Sequence, residues 1–109
     1  MIRNEQKQMD HDTCVEKIAT YWRDDGGYIV FADIEGWDKP GEIFETEGYI
    51  PDIMARKHGT ARICEVETED TLESHRQQWE AFRKYAEKTN GTSFVLYLAK
   101  KGGKGQHLK

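Results

Sequence analysis

The chain has 109 residues and a formal net charge of -4, which is the size of a single domain. Only 37% of the residues are hydrophobic, but an aromatic content of 11% excludes an intrinsically disordered chain. No apolar run approaches the roughly 20 residues that span a bilayer, and the polar N-terminus lacks a signal-peptide core, so we expect a cytoplasmic protein with no membrane partner.

Acidic residues concentrate in the middle of the chain. Fourteen Asp and Glu residues and four Lys and Arg residues lie between Asp24 and Glu73, whereas residues 100–109 contain four lysines and no acid. On charge alone, the middle segment should repel nucleic acid. The Gly- and Lys-rich composition of the last ten residues is typical of a mobile tail. The sequence therefore predicts one domain over residues 1–99 and a basic tail over 100–109.

The first two thirds of the chain predict one helix followed by three strands. Val15, Ile18 and Trp22 recur at helical spacing, and Gly26-Gly27 ends the helix. Runs of β-branched and aromatic residues indicate the strands, and the short turn at 57–60 predicts that the last two form a hairpin. The predicted elements are a helix over residues 12–24 and strands over 28–34, from Ile43 or Tyr49 to Arg56, and 61–68.

The last third of the chain predicts a second helix and a fourth strand. The segment 70–88 carries an apolar stripe that includes Trp79 and Phe82, and its first residues resemble a capping box. The apolar run 93–99 is typical of a strand. A right-handed helical crossover would place this strand parallel to the third. The order αβββαβ predicts an α/β fold with a central mixed four-stranded sheet flanked by helices.

The cysteines and histidines show no metal-binding motif. Cys14 and Cys64 lie far apart without a CxxC pair, which excludes a zinc ribbon. The four histidines are dispersed, with no HxH or HExxH spacing. We therefore expect neither a histidine-based metal site nor histidine-centred acid–base catalysis, unless the fold brings distant residues together.

Three carboxylates form the main candidate site. Glu65 and Glu67 lie two residues apart on the third strand and point to one face, whereas Cys64 and Val66 point into the core. The hairpin places Asp52 level with them. Converging carboxylates repel one another unless a cation neutralises them, and Mg²⁺ binds carboxylate, water and phosphate oxygens. The spacing predicts a divalent cation site; three exposed acids on a solvated hairpin are the alternative.

The carboxylates resemble the motif of the PD-(D/E)xK nuclease superfamily. Pro51-Asp52, followed after a gap by Glu65-Val66-Glu67 on the hairpin of an αβββαβ core, is similar to that motif over residues 12–99. The superfamily includes restriction endonucleases, Holliday-junction resolvases and RecB-like exonucleases. The resemblance implies a restriction-endonuclease-like fold and Mg²⁺-dependent hydrolysis of phosphodiester bonds in DNA, with Mn²⁺ able to substitute.

The resemblance also implies roles for five residues. Asp52 and Glu65 correspond to metal ligands. Glu67 lies where most members have a lysine that positions or activates water; a minority have Glu there, as a further metal ligand or a general base. Glu16 matches a helix acid of resolvase-like members, or is an ordinary solvated acid. Gln78 matches a glutamine that steadies the site in RecB-like members, although their QxxxY is QxxxF here.

The leading hypothesis is a small deoxyribonuclease that selects DNA structure or ends, because the core has no inserted segment that reads a long sequence. Nucleases of this size commonly act as homodimers, and the Trp37 loop would suit an interface or stacking on a base. The absent lysine favours a second hypothesis, a catalytically inactive nuclease-like fold that binds DNA or protein. A third is an unrelated small α/β domain with a solvated acidic hairpin.

Overall fold

A five-stranded mixed sheet with one helix on each face forms the structure, a computed structural model that describes residues 3–109. Met1 and Ile2, which the predicted domain includes, lie outside the described residues. In chain order the elements are α1 (Glu5–Asp24), β1 (Ile29–Ala32), β2 (Ile53–Lys57), β3 (Thr60–Glu67), α2 (Arg76–Glu87), β4 (Thr92–Ala99), a 3₁₀ turn (Lys101–Gly103) and β5 (Gly105–His107).

The strands lie in chain order across the sheet, β1-β2-β3-β4-β5. Strands β1, β2 and β3 are antiparallel neighbours, β4 is parallel to β3, and β5 is antiparallel to β4. The α/β class, the mixed sheet and the parallel fourth strand are confirmed. Neither helix in residues 3–109 is long and apolar enough to cross a membrane.

The turn between β2 and β3 fixes the register of the predicted hairpin. His58 and Gly59 both have positive φ, at 49° and 79°. A two-residue type I′ turn needs this conformation at both positions, and its twist matches that of the flanking strands. Ile53 therefore pairs with Cys64, and Asp52, one residue before β2, comes beside Glu65.

The central strands are buried on both faces. On the α1 face, Val15 and Ala19 pack with a cluster that includes Cys64 and Val66. On the α2 face, Phe82 packs with a cluster that includes Ile63 and Met54. The predicted core positions of Trp79 and Phe82 are confirmed, at 1% and 0% exposure. Every side chain on β3 after Arg62 is therefore buried, whichever face it occupies.

The helix boundaries differ from the predicted ones. Helix α1 begins at Glu5 because the side chain of Asn4 accepts a hydrogen bond from the Lys7 amide and caps it. Helix α2 begins at Arg76 rather than at residue 70, because the segment 69–75 forms consecutive turns. The predicted capping box is absent: the Asp70 side chain accepts from the Thr68 hydroxyl instead.

The first two strands are shorter than predicted. Strand β1 ends at Ala32, where the chain turns: the Ala32 amide donates to the Asp38 carbonyl and the Asp33 amide to the Asp52 carbonyl. Strand β2 begins only at Ile53. The segment 43–50 is a loop, with positive φ at Glu45 and Glu47, so it cannot extend the strand.

A fifth strand forms within residues 100–109, the segment predicted as a tail, so the prediction of four strands is wrong by one. Gly102 and Gly103 have positive φ, which turns the chain back so that β5 pairs with β4. The Gly102 amide also donates to the buried carboxylate of Asp10 in α1. Glycine here permits a close approach to α1, whereas its abundance in sequence suggested flexibility.

Substituting Gly103 with alanine should destabilise the fold by about 1–3 kcal/mol. A Cβ at this position would lie 2.5 Å from Cγ2 of Thr13, and φ is 80°. Urea unfolding followed by circular dichroism measures the change. Gly41→Ala, where a Cβ has open space, is the matched control and should change stability by less than about 0.5 kcal/mol. Equal stability of the two variants would contradict the packing of this turn on α1.

Candidate functional site

Asp52 and Glu65 form the centre of the candidate site, at the start of β2 and near the end of β3. The Asp52 amide donates to Oε1 of Glu65 at 2.8 Å, and the Val66 amide donates to Oδ2 of Asp52 at 2.8 Å. Each carboxylate is thus anchored by backbone of the segment that carries the other. The structure brings together the two residues that the resemblance assigns as metal ligands.

Gln78 joins this pair from the first turn of α2. Its Nε2 donates to Oε2 of Glu65 at 3.2 Å. Both oxygens of the buried Glu65 carboxylate are therefore hydrogen-bonded within the protein, which fixes the orientation of the group. The steadying role that the resemblance implies for Gln78 stays a prediction.

Glu67 is fully buried and is surrounded by donors. Its Oε1 accepts from Nη2 of Arg3 at 3.1 Å and from Oγ1 of Thr71 at 2.8 Å, and it lies 2.8 Å from Nδ1 of His75. Its Oε2 is buried and has no hydrogen-bond partner among residues 3–109. One oxygen of the Glu67 carboxyl therefore meets three polar groups, while the other meets none of the described residues.

The turn segment before α2 explains how Thr71 and His75 reach Glu67. The His75 amide donates to the Thr71 carbonyl at 2.8 Å, so the two side chains lie one helical turn apart on the same side. Sequence reasoning treated this segment as an ordinary helix start and overlooked both residues. Their spacing of four from Glu67 to Thr71 and from Thr71 to His75 was the available signal.

His11 reaches the site from the buried face of α1. The side chain is 6% exposed, with Nε2 lying 3.2 Å from Oδ1 of Asp52 and Nδ1 lying 2.8 Å from Oδ1 of Asp12. Burial lowers the pKa of His11, but the neighbouring Asp52 carboxylate outweighs it, so the net pKa is raised. Folding thus brings His11 beside Asp52 although no local motif links residues so far apart in sequence.

The environment of the glutamates favours their neutral forms. Burial raises the pKa of Glu65 well above its ordinary value, and the charges of Asp52 and Glu67 raise it further. Burial also raises the pKa of Glu67, while hydrogen bonds from Thr71 and His75 partly oppose this. At 2% and 0% exposure, these are not solvated surface acids, which removes the solvated-hairpin reading. Such a site gains stability from a bound proton or cation.

Glu16 lies in a separate surface cluster. Its Oε2 accepts a hydrogen bond from Nε1 of Trp37 at 2.7 Å, and the Arg23 guanidinium lies 4.6 Å from the Trp37 ring centroid. Five residues along a helix correspond to a rotation of roughly 140°, so Glu16 is on a different side of α1 from His11. The accessory role implied for Glu16 finds no contact that supports it in the described part of the chain, and Trp37 is engaged within the protein.

The donor chemistry fits a hard cation held by two carboxylates. No group of three His, Cys, Asp or Glu side chains within residues 3–109 is arranged to hold a metal ion. The three-carboxylate centre with Glu67 as a ligand is therefore not formed. Mg²⁺ does not require it, because one or two carboxylates completed by waters and phosphate oxygens suffice. Asp52 and Glu65 are two such carboxylates, and the buried Oε2 of Glu67 has capacity to accept a further hydrogen bond.

Comparison with known proteins assigns the chain to no family: no family model matches the sequence, and no curated protein is significantly similar to it.

Proposed function

We propose that this protein is a metal-dependent nuclease that hydrolyses phosphodiester bonds in DNA. The observation that carries the proposal is the reciprocal anchoring of Asp52 and Glu65, which holds two carboxylates side by side in a buried site. Such an arrangement reduces stability unless a cation binds, so a purely structural role does not explain it. The proposal includes a restriction-endonuclease-like fold, DNA as the partner and a homodimer as the working form.

Asp52 and Glu65 would hold Mg²⁺, or Mn²⁺ in its place. When bound, the cation would polarise a phosphoryl oxygen and lower the pKa of a water. Gln78 keeps the Glu65 carboxylate in a fixed orientation. Arg3 brings to this position the positive charge that the family's lysine would provide.

Glu67 has a different role in this proposal, as the residue that orients His75. It holds Nδ1 of His75, whose side chain is 29% exposed, and Nε2 makes no hydrogen bond to any described residue. A histidine held in this way can accept a proton from an attacking water through Nε2. Glu67 thus acts through His75 and not as a metal ligand.

Incubation of the full chain with supercoiled, four-way branched and single-stranded DNA tests the proposal. We expect cleavage of at least one substrate in Mg²⁺ or Mn²⁺ and none after chelation with EDTA, because the carboxylates need the cation to act on phosphate. Calorimetric titration with each metal measures binding independently of cleavage.

The same measurements separate the two nuclease-related hypotheses. Divalent binding without cleavage of any substrate would favour the inactive module, in which the contacts of Glu67 with Arg3, Thr71 and His75 are structural. Absence of both binding and cleavage would remove the enzyme proposal.

A further inference from the structure

A second concave site lies at the other end of β3, beside the start of β4. It is a cavity of about 360 Å³ whose lining includes Tyr28, Arg62, Thr92 and Ser93. Arg62 and Glu65 are three residues apart on a strand and so point to opposite faces of the sheet. The cavity is therefore separate from the carboxylate site.

Arg62 stacks on two aromatic rings at this cavity. Its guanidinium carbon lies 4.9 Å from the ring centroids of both Trp22 and Tyr28. Within residues 3–109 it forms no ion pair and no hydrogen bond through its side chain, unlike Arg76 and Arg83, which pair with neighbouring glutamates. Stacking uses the face of a guanidinium and leaves its N–H groups, which lie in the plane, available as donors.

Lys57 adds a second positive charge next to Tyr28. Its Nζ lies 5.3 Å from the Tyr28 ring centroid and donates to the Gly26 carbonyl at 2.6 Å. Four basic residues lie among fourteen acids between Asp24 and Glu73, and two of the four meet here. None of those acids forms an ion pair with either one in the part of the chain that the structure describes. The cavity is thus a local positive centre in an acidic region.

The rest of the lining is suited to an oxyanion. Ser93 is the partner of Arg62 in the register of β3 and β4 and so lies on the same face of the sheet, and its hydroxyl makes no hydrogen bond to other described residues. A planar guanidinium together with a hydroxyl donor matches the geometry of phosphate oxygens. Because cations already lie near the Tyr28 ring, the site offers a charge contact and not a platform for stacking a base.

We propose that this cavity binds a phosphate group, with Arg62 as its principal contact. The inference goes beyond the proposed nuclease function and does not depend on it. The phosphate could belong to free phosphate, to a nucleotide or to a nucleic-acid backbone, since the chemistry is shared. A purely structural role, in which Arg62 covers the aromatic pair at the end of α1, predicts a loss of stability on substitution but no anion binding.

Heteronuclear NMR titration of the ¹⁵N-labelled full chain tests this site, in EDTA so that cleavage plays no part. The probes are inorganic phosphate, a nucleoside 5′-monophosphate and a short single-stranded DNA, at constant ionic strength set with chloride. We expect saturable shifts of the Arg62 Nε and of the amides of residues 91–93. Equal affinity for the first two probes would indicate the phosphate alone as the ligand, and tighter binding of the DNA would indicate the backbone.

Arg62→Gln should weaken phosphate binding at least tenfold, while the matched variant Arg83→Gln should leave it within twofold. If Arg62→Gln is poorly folded, Ser93→Ala keeps the cations and should weaken binding two- to fivefold. Absence of saturable shifts at the cavity, or equal affinity in wild type and a folded Arg62→Gln, would overturn the proposal.

Discussion

Replacing Asp52 with asparagine should lower cation-dependent DNA cleavage by at least about 100-fold, since even loss of an outer partner of a metal site costs 10- to 100-fold. The amide oxygen can still accept from the Val66 amide, which preserves the hairpin, but the negative charge next to Glu65 is lost. Initial rates at saturating Mg²⁺ measure the effect. Calorimetry on the same variant should show a matching loss of divalent affinity.

The control for this variant is Glu80→Gln, which removes a carboxylate from the outer side of α2. Glu80 pairs with Arg83 at 2.5 Å and lies outside the candidate site. It should retain the wild-type rate within about threefold. If Asp52→Asn keeps more than a tenth of the wild-type rate while folding normally, Asp52 is not a metal ligand.

Replacing Glu65 with glutamine should stabilise the metal-free protein near neutral pH, because an uncharged side chain then replaces a carboxylate whose ionisation the folded state disfavours. Burial and the charges of Asp52 and Glu67 raise the pKa of Glu65 well above 4.5, so its ionised form is disfavoured in the folded state. Glutamine removes this penalty and can still accept from the Asp52 amide. Urea unfolding in EDTA measures the difference.

The stability gain of Glu65→Gln should depend on pH in a direction that follows from the raised pKa of Glu65. A carboxyl whose pKa is raised by folding contributes stability below its unfolded pKa, and this contribution is lost as pH rises toward the folded pKa. The advantage of Glu65→Gln should therefore be small at about pH 4 and grow toward about pH 7. Mg²⁺ should stabilise wild type more than the variant, because it binds only the folded site. A gain independent of pH would show that charge is not its cause.

The local sequence pattern was sufficient to predict much of the fold and the approach of the two central carboxylates, Asp52 and Glu65. Side chains alternate between the two faces of a strand, and this predicted that Glu65 and Glu67 lie on the opposite face from Cys64 and Val66. The two-residue turn at His58-Gly59 made the register of the hairpin predictable, and with it the approach of Asp52 to Glu65. These features depend on residues close in sequence, which is why they could be predicted.

The partners of those carboxylates depended on tertiary contacts. Arg3 reaches Glu67 across 64 positions in the chain, and His11 reaches Asp52 from α1, so no spacing rule connects them. Glu16, chosen by resemblance, is directed elsewhere because helix rotation turns it away from the His11 side.

The sequence by itself therefore determined an α/β domain with two carboxylates converging on a hairpin. Only the tertiary structure decided that Glu67 is enclosed by donors and that residues 100–109 complete the sheet. For Glu67 and for residues 100–109, composition indicates only which structures and contacts are possible. Burial and the neighbouring residues in the folded chain decide which of them form. The same glycines that permit a flexible tail permit the close turn against α1 that holds β5 in place.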